Sequence, residues 1–138
     1  MGGSRFHEPM GGCSGRRALR HTAYQAGLTT RHGEVQDLLR DLPGILEKPL
    51  WGGLTYRYRD RVVFVLTRRA RSILLEMKLT EFEADAALRL PGVRPHSFTR
   101  LARTGWIGLS ITATTPLSRV SDLVDRSYEL RVESSSPI

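Results

Sequence analysis

The sequence predicts an α+β fold, a two-layer sandwich in which helices cover one face of an antiparallel sheet of four or more strands. Residues 54–78 hold three short runs of apolar or alternating side chains separated by charged turns, which is typical of a three-stranded meander. Helical patterns with a single apolar stripe precede and follow this meander. Because one stripe buries itself against one face of a sheet, we expect the opposite face to stay uncovered.

The alternation within the meander predicts which side chains face the helices. A two-residue turn at Asp60 and Arg61 places Tyr58 opposite Val63, and an odd-length second connection keeps the third strand in phase. The predicted inner face carries Tyr56, Tyr58, Val63, Val65, Ile73, Leu75 and Met77. The predicted outer face carries Arg57, Arg59, Phe64, Leu66, Leu74, Glu76 and Lys78.

Two helices flank the meander in the predicted arrangement. Residues 34–42 form a short amphipathic helix, which Pro43 and Gly44 end. Thr80 and Glu83 form a capping box, because the hydroxyl of the first accepts from the backbone amide of the second. The helix that they begin is predicted to run to about residue 90.

The last part of the chain predicts a loop, a strand and a helix. Residues 93–105 are basic and irregular, and loops of that length are often functional. Residues 106–112 alternate as a fourth strand, with Ile107 on one side and Trp106 on the other. Thr115 is expected to cap a final helix with Pro116 at its first position.

A chain of 138 residues is expected to form one domain. We divide it into a disordered basic leader (1–31), the α+β domain (32–133) and a flexible tail (134–138). The leader holds six glycines, five arginines and one acidic residue, without a sustained period. The alternative role for this leader is a basic arm that touches phosphate.

Several functional classes are excluded by composition. No run approaches the roughly 20 apolar residues of a membrane span, and no apolar segment follows the basic N-terminus as in a secretory signal. The one cysteine excludes an internal disulfide and a cysteine-rich zinc site, and the four histidines are scattered. We therefore expect a cytoplasmic protein that does not associate with a membrane and binds no metal or cofactor.

The arginine distribution suggests a polyanionic partner. The net charge is +7, and arginine outnumbers lysine 19 to 2, which suits phosphate recognition. A basic hairpin and loop could therefore contact a nucleic-acid backbone, or the same charges could protect a sheet edge from aggregation. The candidate nucleic-acid-binding residues are Arg57, Arg59, Arg61, Arg68, Arg69, Arg71, Arg100 and Arg103.

The outer face also predicts an interaction site. Its apolar side chains would form a patch with basic residues around it, and such patches mark contacts with partners. The patch could stack bases, form a homodimer or bind another protein or a small ligand. Its predicted members are Phe64, Leu66, Leu74 and Trp106.

An enzyme is the least favoured class. No serine lies in a nucleophile elbow, and no glycine-rich loop joins a strand to a helix as in a phosphate-binding motif. His96 with Arg103 in the basic loop is the one candidate pair, and we interpret His96 as a solvated loop histidine. We therefore predict no catalytic residues.

Several short segments together resemble the MmcQ/YjbR family across roughly residues 34–132. Their order and spacing make the resemblance more specific than any one of them. The segments are Leu42-Pro43-Gly44, Trp51-Gly52, Tyr56-Arg57-Tyr58-Arg59, Met77-Lys78-Leu79, Leu90-Pro91-Gly92-Val93-Arg94-Pro95, Arg103-Thr104-Gly105-Trp106 and Asp125-Arg126-Ser127-Tyr128-Glu129-Leu130.

The resemblance implies a CyaY-like α+β fold and a DNA-binding function, with no catalytic residues to carry over. Many relatives have a lysine and a histidine before the tryptophan, where this chain has Arg100-Leu101-Ala102-Arg103-Thr104-Gly105. We therefore expect a small non-enzymatic protein that binds DNA through the basic hairpin and loop. The alternative is a protein-interaction or small-ligand module that uses the outer apolar face.

Overall fold

The structure is a computed structural model that describes the backbone of residues 8–135 and the side chains of residues 19–135. Within these residues, four helices and six strands follow one another. In chain order they are α1 (Glu8–Arg40), β1 (Ile45–Leu50), β2 (Gly53–Tyr58), β3 (Arg61–Arg68), β4 (Ile73–Lys78), α2 (Glu81–Ala87), β5 (Val93–Pro95), α3 (Thr99–Ala102), β6 (Trp106–Ile111) and α4 (Leu117–Ser134). None of the helices in the described part of the chain is long and apolar enough to span a membrane.

The six strands form one sheet in the order β1-β2-β3-β4-β6-β5, and every neighbouring pair is antiparallel. Apolar side chains of α1, α2 and α4 join those of one sheet face in a single core. The predicted α+β class with an antiparallel sheet is confirmed. The fully buried large side chains are Tyr56, Phe64, Leu28, Leu39, Leu66, Ile73, Leu75, Met77, Leu79, Ile107, Leu109 and Ile111.

The hairpin between β2 and β3 has a different turn from the predicted one. Arg59 and Asp60 occupy the two turn positions with φ of 51° and 67°, so Tyr58 pairs with Arg61. Two-residue hairpin turns with positive φ match the twist of the strands that they connect. A register shift beside Tyr56 then leaves Val63 as an extra, unpaired residue in β3. The side chains of Val63 and Phe64 are both buried in the core.

This turn and bulge reverse part of the predicted outer face. Phe64 and Leu66 are fully buried in the core, so the prediction that they form an exposed patch is wrong. Val65 lies on the opposite face, where it pairs with Glu76. The physical reason is the period of two in a strand, since a shift of one residue exchanges the two faces. In β4 the shift has no effect, and the predicted inner positions are buried.

Helix α1 corrects the predicted leader. Residues from Glu8 onward are helical, and Leu28 is fully buried, so the prediction of disorder is wrong for the described part of 1–31. Residues 1–7 lie outside the described part. Leu28, Val35 and Leu39 follow one another at intervals of seven and four, which places them on one stripe of a helix. The glycines among them obscured this stripe.

The structure contains three short elements that the pattern did not predict. Strand β1 occupies the connection before the meander and pairs with β2 over all six of its residues. Strand β5 and helix α3 lie within 93–105, which was predicted as an irregular loop. Pro49 lies within β1 at the edge of the sheet, where a missing amide is tolerated.

The helix ends are partly as predicted. The Thr80 hydroxyl accepts from the Glu83 amide at 3.1 Å and caps α2. Pro116 occupies the cap position of α4, and the Thr115 hydroxyl instead accepts from the Thr112 amide at 2.9 Å. Helix α4 extends to Ser134, into the predicted tail, and residues 136–138 lie outside the described part.

Candidate functional site

The face of the sheet opposite the helices, here called the open face, is more exposed to solvent than the face that packs in the core. Val65, Leu74, Glu76 and Trp106 are all partly exposed on it. One row of paired residues crosses this face and all six strands. From edge to edge it consists of Lys48, Thr55, Val65, Glu76, Gly108 and Arg94.

Positive charge dominates the open face. Lys48 and Arg94 mark the two ends of the row, Arg57 lies one row away, and Arg69 borders a shallow cleft of about 140 Å³ beside Arg94. None of these four side chains forms a hydrogen bond or ion pair with a described residue. Arg57 even buries its Nε atom without an acceptor. The cations are therefore available to an anionic ligand.

The carboxylate of Glu76 is already engaged. Its Oε2 atom lies 2.8 Å from Nε2 of His96, and the two side chains are 15% and 8% exposed. Nδ1 of His96 accepts from the Phe98 amide at 3.0 Å. The interpretation of His96 as a solvated loop histidine is therefore wrong. The contact of Nε2 with Glu76 joins the segment after β5 to the sheet, and the contact of Nδ1 with Phe98 lies within that segment.

An aromatic cluster lies at the same end of the open face. The ring of His96 meets that of Trp106 edge-on, with centroids 6.0 Å apart, and that of Phe98 at 5.5 Å and a tilt of 34°. Phe98 is 68% exposed. The cluster therefore offers an exposed ring, that of Phe98, whose backbone amide is hydrogen-bonded to His96. Such a ring can stack on a base of a nucleic acid.

The eight arginines predicted as a nucleic-acid site do not converge. Arg68 donates to Gln25 and Thr29 of α1, at 3.1 Å in each case, so it holds that helix on the sheet. Arg59 donates to the Ser135 carbonyl at 3.1 Å and lies over the ring of Tyr58. These contacts commit both guanidinium groups to other parts of the chain.

The remaining arginines of that set fall into four places. Arg57 and Arg69 belong to the open face, whereas Arg61 lines a cleft beside α4. Arg71 is exposed at the turn between β3 and β4, and its carbonyl accepts from Tyr24. The last two, Arg100 and Arg103, lie in and directly after α3, at the end of the sheet that carries the aromatic cluster.

The predicted interaction face is also divided. Leu74 and Trp106 lie on the open face, while the other two members are in the core. The sequence reasoning missed Lys48 and Arg94, because β1 and β5 were not recognised as strands. No signal in the sequence places these two side chains, because neither strand has the alternation of apolar and polar residues that marks a strand. The residues that the structure describes contain no cluster that could hold a metal ion.

Fold and surface together define a small α+β sandwich with a basic, partly aromatic open face. A similar structure is that of the Deinococcus radiodurans protein DR2400, a domain of DUF419, which is the MmcQ/YjbR family, with a TM-score of 0.64 and 15% identity over 76% of this chain and 80% of that one. A protein from Pseudomonas syringae matches with a TM-score of 0.56 and 14% identity, over 68% of this chain and 92% of its own. These likenesses show the fold. No family model and no curated protein matches the sequence.

Proposed function

We propose that this protein is a divergent member of the MmcQ/YjbR family and binds nucleic acid across the open face of its sheet. The observation that carries the proposal is the set of four cations that have no partner among the described residues and lie beside an exposed aromatic cluster. Phosphate groups supply the acceptors that these cations lack, and such contacts provide most of the affinity in nucleic-acid binding. The resemblance of the sequence motifs to the MmcQ/YjbR family implies the same partner, and the fold is the one that this resemblance implies.

The dimensions of the open face suit a strand of nucleic acid. Neighbouring strands of a sheet lie about 4.8 Å apart, so the row from Lys48 to Arg94 spans roughly 24 Å. A row of that length can contact several successive phosphates of one strand. Lys48, Arg57 and Arg94 lie on strands, so the sheet fixes the backbone positions from which these three side chains extend.

The aromatic cluster favours a single strand over a duplex. Stacking on an aromatic ring is worth about 1–3 kcal/mol per base, and a base in a duplex offers no free face for it. Phe98 is the exposed ring of the cluster, and Arg100 lies two residues further along. A base stacked on Phe98 would place its phosphates near the basic end of the row.

The experiment is a salt titration of a fluorescent single-stranded oligonucleotide, followed by anisotropy. We expect the double variant Arg57→Gln with Arg94→Gln to bind more weakly and to lose about 1.4 from the salt slope, since each phosphate contact on a single strand contributes about 0.7. Phe98→Ala should weaken binding with the slope unchanged. Arg89→Gln is the matched control, because this exposed arginine follows α2 and lies outside the open face.

Two results would overturn the proposal. One is the absence of binding to single strands and duplexes at low salt. The other is an unchanged affinity and slope in the double variant, with the thermal unfolding of both proteins equal. A loss that appears equally in the Arg89→Gln control would reduce the interaction to net charge alone.

A second function, contact with a protein partner or a second copy of the chain, is favoured by the edge of the sheet. Leu46 and Leu50 of β1 are 53% and 48% exposed, and Trp51 in the following turn is 99% exposed. Apolar side chains along an unpaired edge strand are a typical interaction surface. Sedimentation equilibrium of the protein and of Leu46→Lys tests it, since a monomer in both cases removes the homodimer.

A further inference from the structure

A second basic site lies on the helix-covered side of the sheet. A cleft of about 370 Å³ opens between the start of β3, the end of β4 and the C-terminal half of α4. Two guanidinium groups line it from the helix-covered side, those of Arg61 and Arg131, and we call it the basic cleft. Lys78 borders the cleft with its backbone, whose carbonyl accepts from Ser127, while its position beside Trp106 belongs to the open face. The other polar lining of the cleft includes the hydroxyl groups of Thr80 and Ser127. No carboxylate lines the cleft within the part of the chain that the structure describes.

The two arginines of the basic cleft have no counterion among the residues that the structure describes. The ion pairs among residues 19–135 use other basic residues, and Arg61 and Arg131 form no side-chain hydrogen bond with a described group. The Lys78 ammonium reaches one acceptor, the Leu79 carbonyl at 3.4 Å. Burial lowers the pKa of Arg131, and the like charge of Arg61 lowers it further. Holding like charges together in a half-buried site costs free energy that an anion would offset.

The two hydroxyl groups are fixed within the chain. Ser127 donates to the Lys78 carbonyl at 2.7 Å, and Thr80 donates to a carboxylate oxygen of Glu83 at 2.9 Å. That carboxylate is neutralised by Arg126 at 2.6 Å, away from the cleft lining. The hydroxyls therefore hold the walls of the cleft in position, and the guanidinium groups of Arg61 and Arg131 are left for a ligand.

We propose that the basic cleft binds the phosphate group of a small phosphorylated molecule. The two guanidinium groups match the double negative charge of a phosphate monoester, and each can donate two parallel hydrogen bonds to its oxygens. The volume lies within the usual 300–1,000 Å³ of small-molecule sites. Leu79, Leu130 and Val63 supply an apolar wall for the rest of the molecule.

The position of the cleft distinguishes it from the nucleic-acid surface. Arg61 and Val63 turn toward the helices, whereas Arg57 and Val65 belong to the open face. A strand that follows the open face has no continuous path into a cleft bounded by α4 on the other side of the sheet. A free or terminal phosphate enters such a cleft more readily than an internal phosphodiester.

The test uses the full chain with inorganic phosphate and pyrophosphate, titrated by calorimetry at constant ionic strength set with chloride. We expect heat of binding and a rise in Tm with ligand concentration, because a ligand that binds the folded state stabilises it. Arg61→Gln and Arg131→Gln should each weaken binding by about tenfold or more, the usual effect of losing a charged hydrogen-bonding partner.

Arg119→Gln is the matched control for this experiment. Arg119 lies on the same helix, 12 positions before Arg131 and therefore about 18 Å away along its axis, and it does not line the cleft. It removes one positive charge and should leave the affinity for both probes unchanged. In buffer without phosphate, Arg61→Gln should have a Tm equal to or above that of the unsubstituted protein, since a like-charge contact is removed.

Three outcomes would overturn the proposal. The first is that neither probe binds beyond the effect of chloride. The second is that the Arg119, Arg61 and Arg131 variants bind both probes equally well. The third is that binding depends on Arg61 and Arg131 only when the ligand is an oligonucleotide without a terminal phosphate. The last result would assign the cleft to internal phosphates of a nucleic acid. Failure of oligonucleotide binding to the open face leaves this proposal intact, because the probes and variants are different.

Discussion

At the scale of single residues, Tyr56 combines a buried ring with a hydroxyl that is hydrogen-bonded to a carboxylate. Its ring is fully buried in the core, and its hydroxyl donates to Oε2 of Glu47 at 2.5 Å. Arg40 donates to both oxygens of the same carboxylate, at 2.9 and 3.0 Å, and thereby connects α1 to β1. Burial raises the pKa of Tyr56, and the carboxylate raises it further, while the Arg40 hydrogen bonds lower the pKa of Glu47.

Replacement of Tyr56 by Phe should destabilise the protein by about 2 kcal/mol at neutral pH, the usual contribution of a hydrogen bond to a charged acceptor. The folded state holds the phenolic proton more tightly than the unfolded state does. Stability is therefore full below about pH 10, the ordinary tyrosine pKa, and falls as the pH rises through the folded pKa. In the Tyr56→Phe variant, the stability should decrease less between neutral and alkaline pH, because the phenolic proton is absent. Urea denaturation at a series of pH values measures the free energy of unfolding of both proteins.

Tyr58→Phe is the control for that prediction. Tyr58 lies two residues along the same strand, where its ring meets Tyr128 edge-on at 5.9 Å, and its hydroxyl has no hydrogen bond to a described residue. Its replacement should change stability by less than about 0.5 kcal/mol. An equal loss in both variants would mean that the Glu47 contact contributes nothing beyond the packing of the ring.

At the scale of elements, the sequence predicted the strands better than their register. The alternation in β4 and β6 is regular, so their buried sides were predicted correctly. In β3, four apolar residues follow one another from Val63, and such a run does not reveal which of them face the core. The turn decides this, and Arg59 with Asp60 in the left-handed region is not a combination that the sequence makes obvious.

The edge strands show a different limit. Strand β1 contains Glu47, Lys48 and Pro49, and β5 is three residues long, so neither carries the apolar alternation that marks a strand. Both are held by pairing with a neighbour that is itself well defined. The two ends of the cation row on the open face therefore depend on tertiary structure, whereas Arg57 and Trp106 were placed on this face from sequence alone.

Helix α1 is the element whose role changes most between sequence and structure. We predict that Leu28→Ala destabilises the protein by about 2–5 kcal/mol, because the side chain is fully buried and its removal leaves a cavity. Leu19→Ala on the same helix should change stability by less than about 0.5 kcal/mol, since that side chain is 72% exposed. Urea denaturation of both variants measures the difference.

The contrast between these two leucines also tests the docking of α1. If residues around 28 formed a disordered leader, both variants would unfold like the unsubstituted protein. Arg68 offers an independent reading, because its hydrogen bonds to Gln25 and Thr29 exist only while this part of α1 lies on the sheet. Arg68→Gln should therefore destabilise the protein in the same direction as Leu28→Ala, and to a smaller extent.

At the scale of the whole molecule, positive charge is divided between the two faces of one sheet. The open face carries Lys48, Arg57 and Arg94 in fixed positions on strands, and the basic cleft carries Arg61 and Arg131 between the sheet and α4. Net charge alone would predict one diffuse attraction to any polyanion. The geometry instead separates a long, flat surface from a small enclosed site.

This separation predicts that the two ligands bind independently. Effects at distant sites without shared partners add, so saturating pyrophosphate should weaken the binding of a single-stranded oligonucleotide no more than chloride of equal ionic strength does. Anisotropy titrations in the two salts measure this for the unsubstituted protein. The double variant Arg57→Gln with Arg94→Gln should still bind pyrophosphate with the original affinity. The Arg131→Gln variant should still bind the oligonucleotide with the original affinity. Mutual displacement that exceeds the ionic-strength effect would show a single shared site, because two ligands that compete beyond screening must meet the same cations.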